Sequence, residues 1–424
     1  MNSSTLDTVR SNLRKRYSRE RRFRLLGILS VLIGLGFLLF FFSSIISRGY
    51  TAFVQTELLL NVHFDQQIID PKSTGDTQIL GRANYRTLIR QALMDELGEV
   101  SGRKARKEIL GLASGSAAYL LRDMIVNNPR LVGTTKAVWV LADDEVDMYL
   151  KSRKKPGAYA GRLSTDQKAW AETLRANGML KKKFNKGFFS NGDSRNPEVA
   201  GVLGAALGSF YMLLVTVLIA FPVGVAASIY LEEFAPNNRW TDLIEVNINN
   251  LAAIPSIVFG LLGLAVFINF FGLPRSAPLV GGLVLSLMTL PVVIIAGRAA
   301  IKSVPPSVRE AALGLGASHT QTVFHHVLPL AMPGMLTGTI IGMARALGES
   351  APLLMIGMVA FIVDKPEGPL DAATALPVQI FLWFDIPERA FIERTSGAII
   401  VLLLFLLAMN ATAVWLRRKF ERRW

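Results

Sequence analysis

Six blocks of apolar residues, 25–47, 201–229, 251–271, 278–296, 335–363 and 396–415, dominate this chain of 424 residues. Each is close to or above the roughly twenty residues that an α-helix needs to cross a hydrocarbon core. Inside lipid the backbone must satisfy its own hydrogen bonds, so a chain with six such blocks folds as a bundle of spanning helices. With 51% hydrophobic and 18% charged residues, the composition is well short of the quarter charged that soluble proteins carry.

The basic residues lie at block edges. Eight Lys and Arg fall between Arg10 and Arg24, and five between Arg417 and Arg423, within a net charge of +14. This is a topology signal rather than a nucleic-acid stripe. It places both termini inside, which an even number of spans requires. The first block is longer than the apolar region of a signal peptide and is expected to remain as an uncleaved helix. With no cysteine, the chain has no disulfide, Cys-ligated metal or thiol nucleophile.

Residues 50–197 contain no spanning block and are expected outside, as a small α+β domain inserted after helix 1. Phe53 to Phe64 and Val138 to Leu141 read as strands. Tyr85 to Leu97, Lys104 to Ile125 and the acidic piece Asp143 to Leu150 read as helices, and Lys181 to Lys183 as a solvated face. The expected layout is a basic cytoplasmic N-terminus (1–24), helix 1 (25–47), the extracytoplasmic domain (50–197), an all-α membrane domain with five more spans (198–416) and a basic cytoplasmic tail (417–424).

Between the fourth and fifth blocks lies a stretch too polar to cross a bilayer, centred on Val308 to Gly338. Ser307 as N-cap with Glu310 three residues on predicts a short helix. Ala311, Ala312, Gly314, Gly316 and Ala317 leave its backbone open to close approach, and the glycines permit a sharp turn. A second helix over Thr320 to Leu328 should stop before Pro329. On these residues alone, a docking protrusion and an amphipathic loop on the headgroups are equally good readings.

The fifth block carries Arg345 and Glu349, whose i, i+4 spacing sets them on one helical face. Counted from Met335 they lie roughly 15 and 21 Å along the helix, near the middle of a bilayer. Ionised groups there cost at least a few kcal/mol and require either a structural ion pair or a functional role. Arg298, near the inner end of the fourth helix, reads either as a second charged station or as a positive-inside anchor. No G-x-x-x-x-G-K-[ST], H-E-x-x-H or G-x-S-x-G occurs. His325 and His326 are adjacent and point to different faces, so with His319 they read as surface residues rather than metal ligands.

The order Glu310-Ala311-Ala312, three residues, Gly316, nine residues, then x-x-Leu328-Pro329 resembles the E-A-A-x3-G-x9-I-x-L-P loop of binding-protein-dependent ABC importer permeases. It departs at His326, where that family usually has isoleucine. Ile229 to Ala235, Asn250 to Gly260, Thr289 to Val293, Leu347 to Leu354 and Leu376 to Ile380 are similar to phosphate importer permeases, the block at Leu347 to the PstA type in particular. The similarity covers roughly Pro197 to the C-terminus, and the large domain before it resembles a long-form branch.

This resemblance implies the type I ABC importer permease fold and a role in moving inorganic phosphate across the cytoplasmic (inner) membrane of a bacterium. Loop 305–334 would be the coupling element, with Glu310, Ala311, Ala312, Gly316, Leu328 and Pro329 received by a separate ATPase. Arg345, Glu349 and Arg298 would line the substrate route, because a guanidinium pairs bidentately with phosphate oxygens. The implied partners are a PstC-type sister permease, a PstB-type ATPase dimer that binds ATP and Mg, a PstS-type phosphate-binding protein and the lipid bilayer. The chain itself would be no enzyme and would hold no cofactor, metal or nucleic acid. The competing readings are a permease for another oxyanion, such as molybdate or sulfate, and a membrane sensor with an extracytoplasmic ligand domain. The blocks contain no inverted repeat that would favour a secondary carrier.

Overall fold

The computed structural model describes residues 3–98, 102–152 and 161–420. Arg422 and Arg423 of the expected basic tail lie outside them. Helix α1, Ser3–Gly49, runs from the basic stretch through the first apolar block as one rod of 47 residues. A single turn, Tyr50–Phe53, joins it to a domain built from β1 (Val54–His63), α2 (Tyr85–Leu97), α3 (Ser116–Asn127), β2 (Thr135–Leu141), α4 (Asp144–Ser152), α5 (Thr165–Ala176) and β3 (Leu180–Phe184).

The three strands form an antiparallel sheet in the order β2-β1-β3, with Leu58 opposite Val140 and Val54 opposite Phe184. Period-two alternation in β1 sends Leu58, Leu60 and Val62 into a dry core with Leu88, Leu93, Leu121 and Ile125 from the helices. Two differences from expectation arise here. The helical run over Lys104 to Ile125 is interrupted, because Ser114 donates its backbone N–H to Leu141 and Ala113 bridges Ala142, so this backbone serves the sheet. The lysine run is the third strand: Lys181 and Lys182 are exposed, while Lys183 pairs with Glu57 and lies 5.1 Å over the Trp139 ring. Lysines on an edge strand discourage pairing with another chain, so solvent exposure and strand structure coexist.

The regular elements of the remainder are all helices: α6 (Leu203–Ile229), α7 (Arg239–Ala253), α8 (Ser256–Gly263), α9 (Pro278–Lys302), α10 (Pro306–Gly314), α11 (Leu328–Gly348), α12 (Ala351–Met355), α13 (Leu376–Phe384) and α14 (Arg389–Phe420). Five helices are long and apolar enough to span, and α7 with the α8 segment makes a sixth if that pair, bent by 100°, counts as one. The block at 251–271 is therefore not one helix, and the stretch before it, from Arg239, is helical as well. Pro255 forces Ile254 out of the helical region, to ψ 135°, and the chain turns there.

The fifth block is also corrected. The helix starts far earlier than Met335, passing without a stop from His319 through a widened π turn, Thr322–Val327, into α11. That widened turn accommodates Pro329, whose ring and missing N–H would break a regular helix. The helix then ends at Gly348, with Glu349 extended at ψ 120°, well before Val363.

Small residues bring the bundle together. Gly334, Gly338 and Gly342 repeat every four residues along α11 and face Ala300, Ala296 and Thr289 of α9. A Cβ at Gly338 would lie 2.1 Å from the Cβ of Ala296, so the two backbones approach as only glycine allows. Helix α1 keeps most of its apolar surface uncovered and meets α14 near its end, where Gly49 abuts Ser396.

The domain is fastened to the bundle by buried polar contacts. The carbonyl of Ala52 accepts from Asn185 Nδ2 at 3.0 Å and from Arg394 Nη1 at 3.1 Å. Lys151 Nζ joins Asp147 at 2.6 Å and Glu393 at 2.7 Å, linking α4 to α14. Asp147 in turn accepts from the N–H and hydroxyl of Thr56 at 3.0 and 2.6 Å. Ser114 Oγ donates to Glu198 at 2.5 Å. Beside this clasp, burial pushes the Asp143 carboxyl up to about 8 and the Asp144 carboxyl up to about 6, with Asp144 acting on the first and Glu198 on both.

Candidate functional site

Two places bring the candidate residues together, at opposite ends of α11. At the loop side, α10 projects from the end of α9. Its start is Pro305-Pro306, and Ser307 makes no capping hydrogen bond. The capping box falls instead at Ser318, whose side chain accepts from Gln321 N–H while Gln321 reaches back to the Ser318 N–H. The sharp turn does sit at Gly316, at φ +89°, a left-handed conformation that favours glycine.

Val308, Ala311, Ala312, Leu315, His325, His326 and Pro329 line a cleft of about 610 Å³ between α10 and the widened turn. Glu310 and Ala311 are exposed, Ala312 is buried, and Leu315 is 91% exposed. Leu328 is on the far side, lining a separate apolar cleft with Phe234 and Phe324. His326, the departure from the family pattern, points to solvent at the rim of the first cleft.

Two ion-pair groups hold this projection, and sequence reasoning missed them. Arg309 Nη2 meets Glu233 Oε1 at 2.7 Å and donates to the Ile301 carbonyl at 3.1 Å, while Nη1 donates to the Val304 carbonyl at 2.8 Å. Arg298 Nε is 3.3 Å from Glu232, and its Nη2 pairs closely with Glu245, with Lys302 adding 3.6 Å to Glu232. The signal available was the pair Glu232-Glu233 inside Ile229 to Ala235, an acidic doublet at the edge of an apolar block that needs cationic partners.

At the other end of α11, Arg345 Nε stands 3.6 Å from Glu349 Oε1. The pair forms across the helix end, since Glu349 is its cap and not a helical residue. Arg345 is about 26 Å along the helix from Leu328, farther toward the domain side than a start at Met335 implied. Its side chain is 49% exposed, and that of Glu349 24%. Arg298 is not brought to this pair; its partners are the loop-side glutamates.

Two of the family-like segments converge here. Gly260 of α8 lies against Pro352 of α12, where a Cβ would come within 2.7 Å of the Pro352 Cα. Non-helical backbone at membrane depth survives only where protein buries it or water lines it, so the breaks at Pro255 and Ser350 mark an internal surface. A half-exposed guanidinium near the end of a spanning helix, close to a second helix pair that is itself bent, with an exposed helical projection at the opposite end, fits a membrane transport subunit.

Comparison with known proteins makes this class specific. Residues 220–424 match the family described as "Binding-protein-dependent transport system inner membrane component", and residues 10–158 match a domain of unknown function, DUF3333. Probable ABC transporter permease protein YqgI of Bacillus subtilis is 34% identical over 231 residues, 51% of this chain and 77% of that protein. Phosphate transport system permease protein PstA 1 of Mycobacterium tuberculosis H37Rv is 33% identical over 225 residues, 53% of this chain and 71% of that protein. A solved structure of the MetNI methionine ABC transporter aligns with 52% of this chain and 95% of its own, at 18% identity and a TM-score of 0.41.

The chain belongs to the family of binding-protein-dependent transport system inner membrane components. Within that family its relatives include PstA-type permeases, and it carries an additional N-terminal region that they do not match. Such permease subunits are not enzymes, and ATP hydrolysis belongs to a partner subunit.

Proposed function

We propose that this chain is the PstA-type permease subunit of an ATP-driven importer of inorganic phosphate. The loop side is cytoplasmic, with both termini and loop 305–334, and the domain at 50–197 faces outward to meet a phosphate-binding protein. A sister permease of the PstC type completes the route. An ATPase dimer of the PstB type docks on α10 and the turn after it, with the exposed Glu310, Ala311 and Gly316 at the contact and Ala312 buried beneath, while Leu328 and Pro329 carry its movement into α11. The observation that carries this reading is the half-exposed Arg345 in a spanning helix. Exposure of the guanidinium to hydrocarbon would cost up to a few kcal/mol, which favours a face that meets water or a second subunit. There Arg345 offers phosphate a planar fork of donors, and Glu349 shortens the anion's stay.

Arg298 was a candidate for the same route. Its pairing with Glu232 and Glu245 favours the anchor reading, in which it fixes the loop-side end of α9.

The deciding experiment measures uptake of labelled phosphate by cells carrying Arg345→Gln. Uptake should fall at least tenfold while the ATPase still copurifies with the chain. Uptake near the normal rate would overturn the role of Arg345. Competition by molybdate or sulfate stronger than by unlabelled phosphate would move the assignment to another oxyanion.

A further inference from the structure

An apolar cleft of about 400 Å³ opens on the surface of the bundle between α6, α11 and α14. Leu214, Ile340, Met343, Phe405, Met409 and Leu416 are among its lining residues, and none of the residues lining it is charged. Along α14 it extends from Phe405 to Leu416, about 16 Å, close to the thickness of one leaflet's hydrocarbon layer. Its walls therefore offer what a single extended acyl chain requires.

The loop-side mouth of the cleft is cationic. Arg417 follows Leu416, and its Nη1 donates at 3.2 Å to Thr337 Oγ1, one turn of α11 away from Ile340. Its Nε is buried and makes no hydrogen bond. A guanidinium has five N–H donors, so most of this one's capacity is unused. Arg418 and Lys419 come next, and Lys419 lies 5.9 Å over the Trp415 ring. Among the described residues, none of these three cations pairs with a carboxylate.

A neutral occupant would leave that charge partly desolvated and uncompensated, which is unfavourable. We propose that the cleft binds one anionic phospholipid, with an acyl chain along α14 and the headgroup phosphate on the Arg417 guanidinium. Arg418 and Lys419 add attraction to the anionic leaflet. A zwitterionic lipid fills the same cleft but brings its own cation to the mouth, so it binds less well. The site is independent of what the permease carries.

The test uses the full chain, purified from membranes with its copurifying subunits, and native mass spectrometry in mixtures of phosphatidylglycerol and phosphatidylcholine. Retention of one phosphatidylglycerol with at least a fivefold preference is expected. Arg417→Gln should reduce that preference to near unity, and Arg417→Lys should recover most of it. Ala413→Trp, which fills the cleft, should remove the retained lipid while the thermal unfolding profile of the complex is unchanged. Equal retention of the two lipids, or a preference that survives Arg417→Gln, would overturn the proposal. Displacement by inorganic phosphate would overturn it too, by assigning the guanidinium to a soluble anion. The chain has no cysteine, so Leu214→Cys provides a single reporter. Its cross-linking to another subunit, rather than labelling by a photoactivatable phosphatidylglycerol, would show that protein covers the cleft and sink the idea.

Discussion

Arg309 and Glu233 meet at 2.7 Å across 76 residues of sequence, joining the projecting helix α10 to the end of α6. The side chain of Glu233 is 8% exposed, so its charge depends on that partner. A hydrogen bond to a charged group is worth about 1.5–3 kcal/mol, and loss of one partner leaves the other desolvated. Arg309→Ala should therefore loosen α10 without unfolding the spans. In reconstituted vesicles, ATP hydrolysis should continue while phosphate uptake falls several-fold. An unchanged ratio of uptake to hydrolysis would show that this pair does not hold the coupling element.

Gly316 makes a separate demand on the same projection. At φ +89° a β-branched residue is strained by about 1–3 kcal/mol, although nothing lies within 4 Å of where its Cβ would be. Gly316→Val should redirect the turn after α10 and reduce the amount of ATPase that copurifies, with little change in the thermal stability of the membrane domain. Copurification at the normal level would count against a docking role for this turn.

Contact between α8 and α12 leaves no space at Gly260. Added methyl groups there would press on the Pro352 backbone, at a cost of about 1–3 kcal/mol. Gly260→Val should lower the melting temperature in detergent and impair uptake, and Gly260→Ala should do so less. A larger loss in Ala than in Val would exclude steric contact as the cause.

The junction between domain and bundle should respond to pH. The Asp143 and Asp144 carboxyls titrate near 3.8 in an unfolded chain but are raised to about 8 and about 6 in the folded protein. The folded state thus binds more protons between these values, and its stability falls as pH rises through about 6 and then about 8. Asp143→Asn should flatten this decline and raise stability at pH 9 by about 1–3 kcal/mol, or about 2–8 °C in melting temperature. Melting curves at pH 5 and pH 9 would settle it, and an undiminished fall in the variant would assign the effect elsewhere.

Hydropathy located the spans because bilayer thickness leaves few alternatives for a twenty-residue apolar run. The same measure is blind to direction, so it could not reveal that the chain turns at Pro255 or leaves the helix at Glu349, where apolar composition continues. It also placed the start of α11 too late, since Thr322 to Leu328 are mixed in polarity yet helical. The strand at Leu180–Phe184 was obscured by three lysines, whose exposure is compatible with an edge strand. Local spacing found the Arg345–Glu349 pair, although it attributed the contact to a shared helical face. The Glu232-Glu233 doublet announces that cationic partners are needed, but local spacing does not say which, because Arg298 and Arg309 lie 66 and 76 residues away.

Helix α14 is a single rod of 32 residues, about 48 Å long. Near one end, Glu393 and Arg394 are clasped by the domain, and near the other Arg417 reaches Thr337 of α11. A tilt of about 5° at the clasped end carries the far end about 4 Å, roughly the rise of three helical residues. A rod held at one end in this way is a lever arm: any rotation about the clasp would be enlarged where Arg417 meets α11.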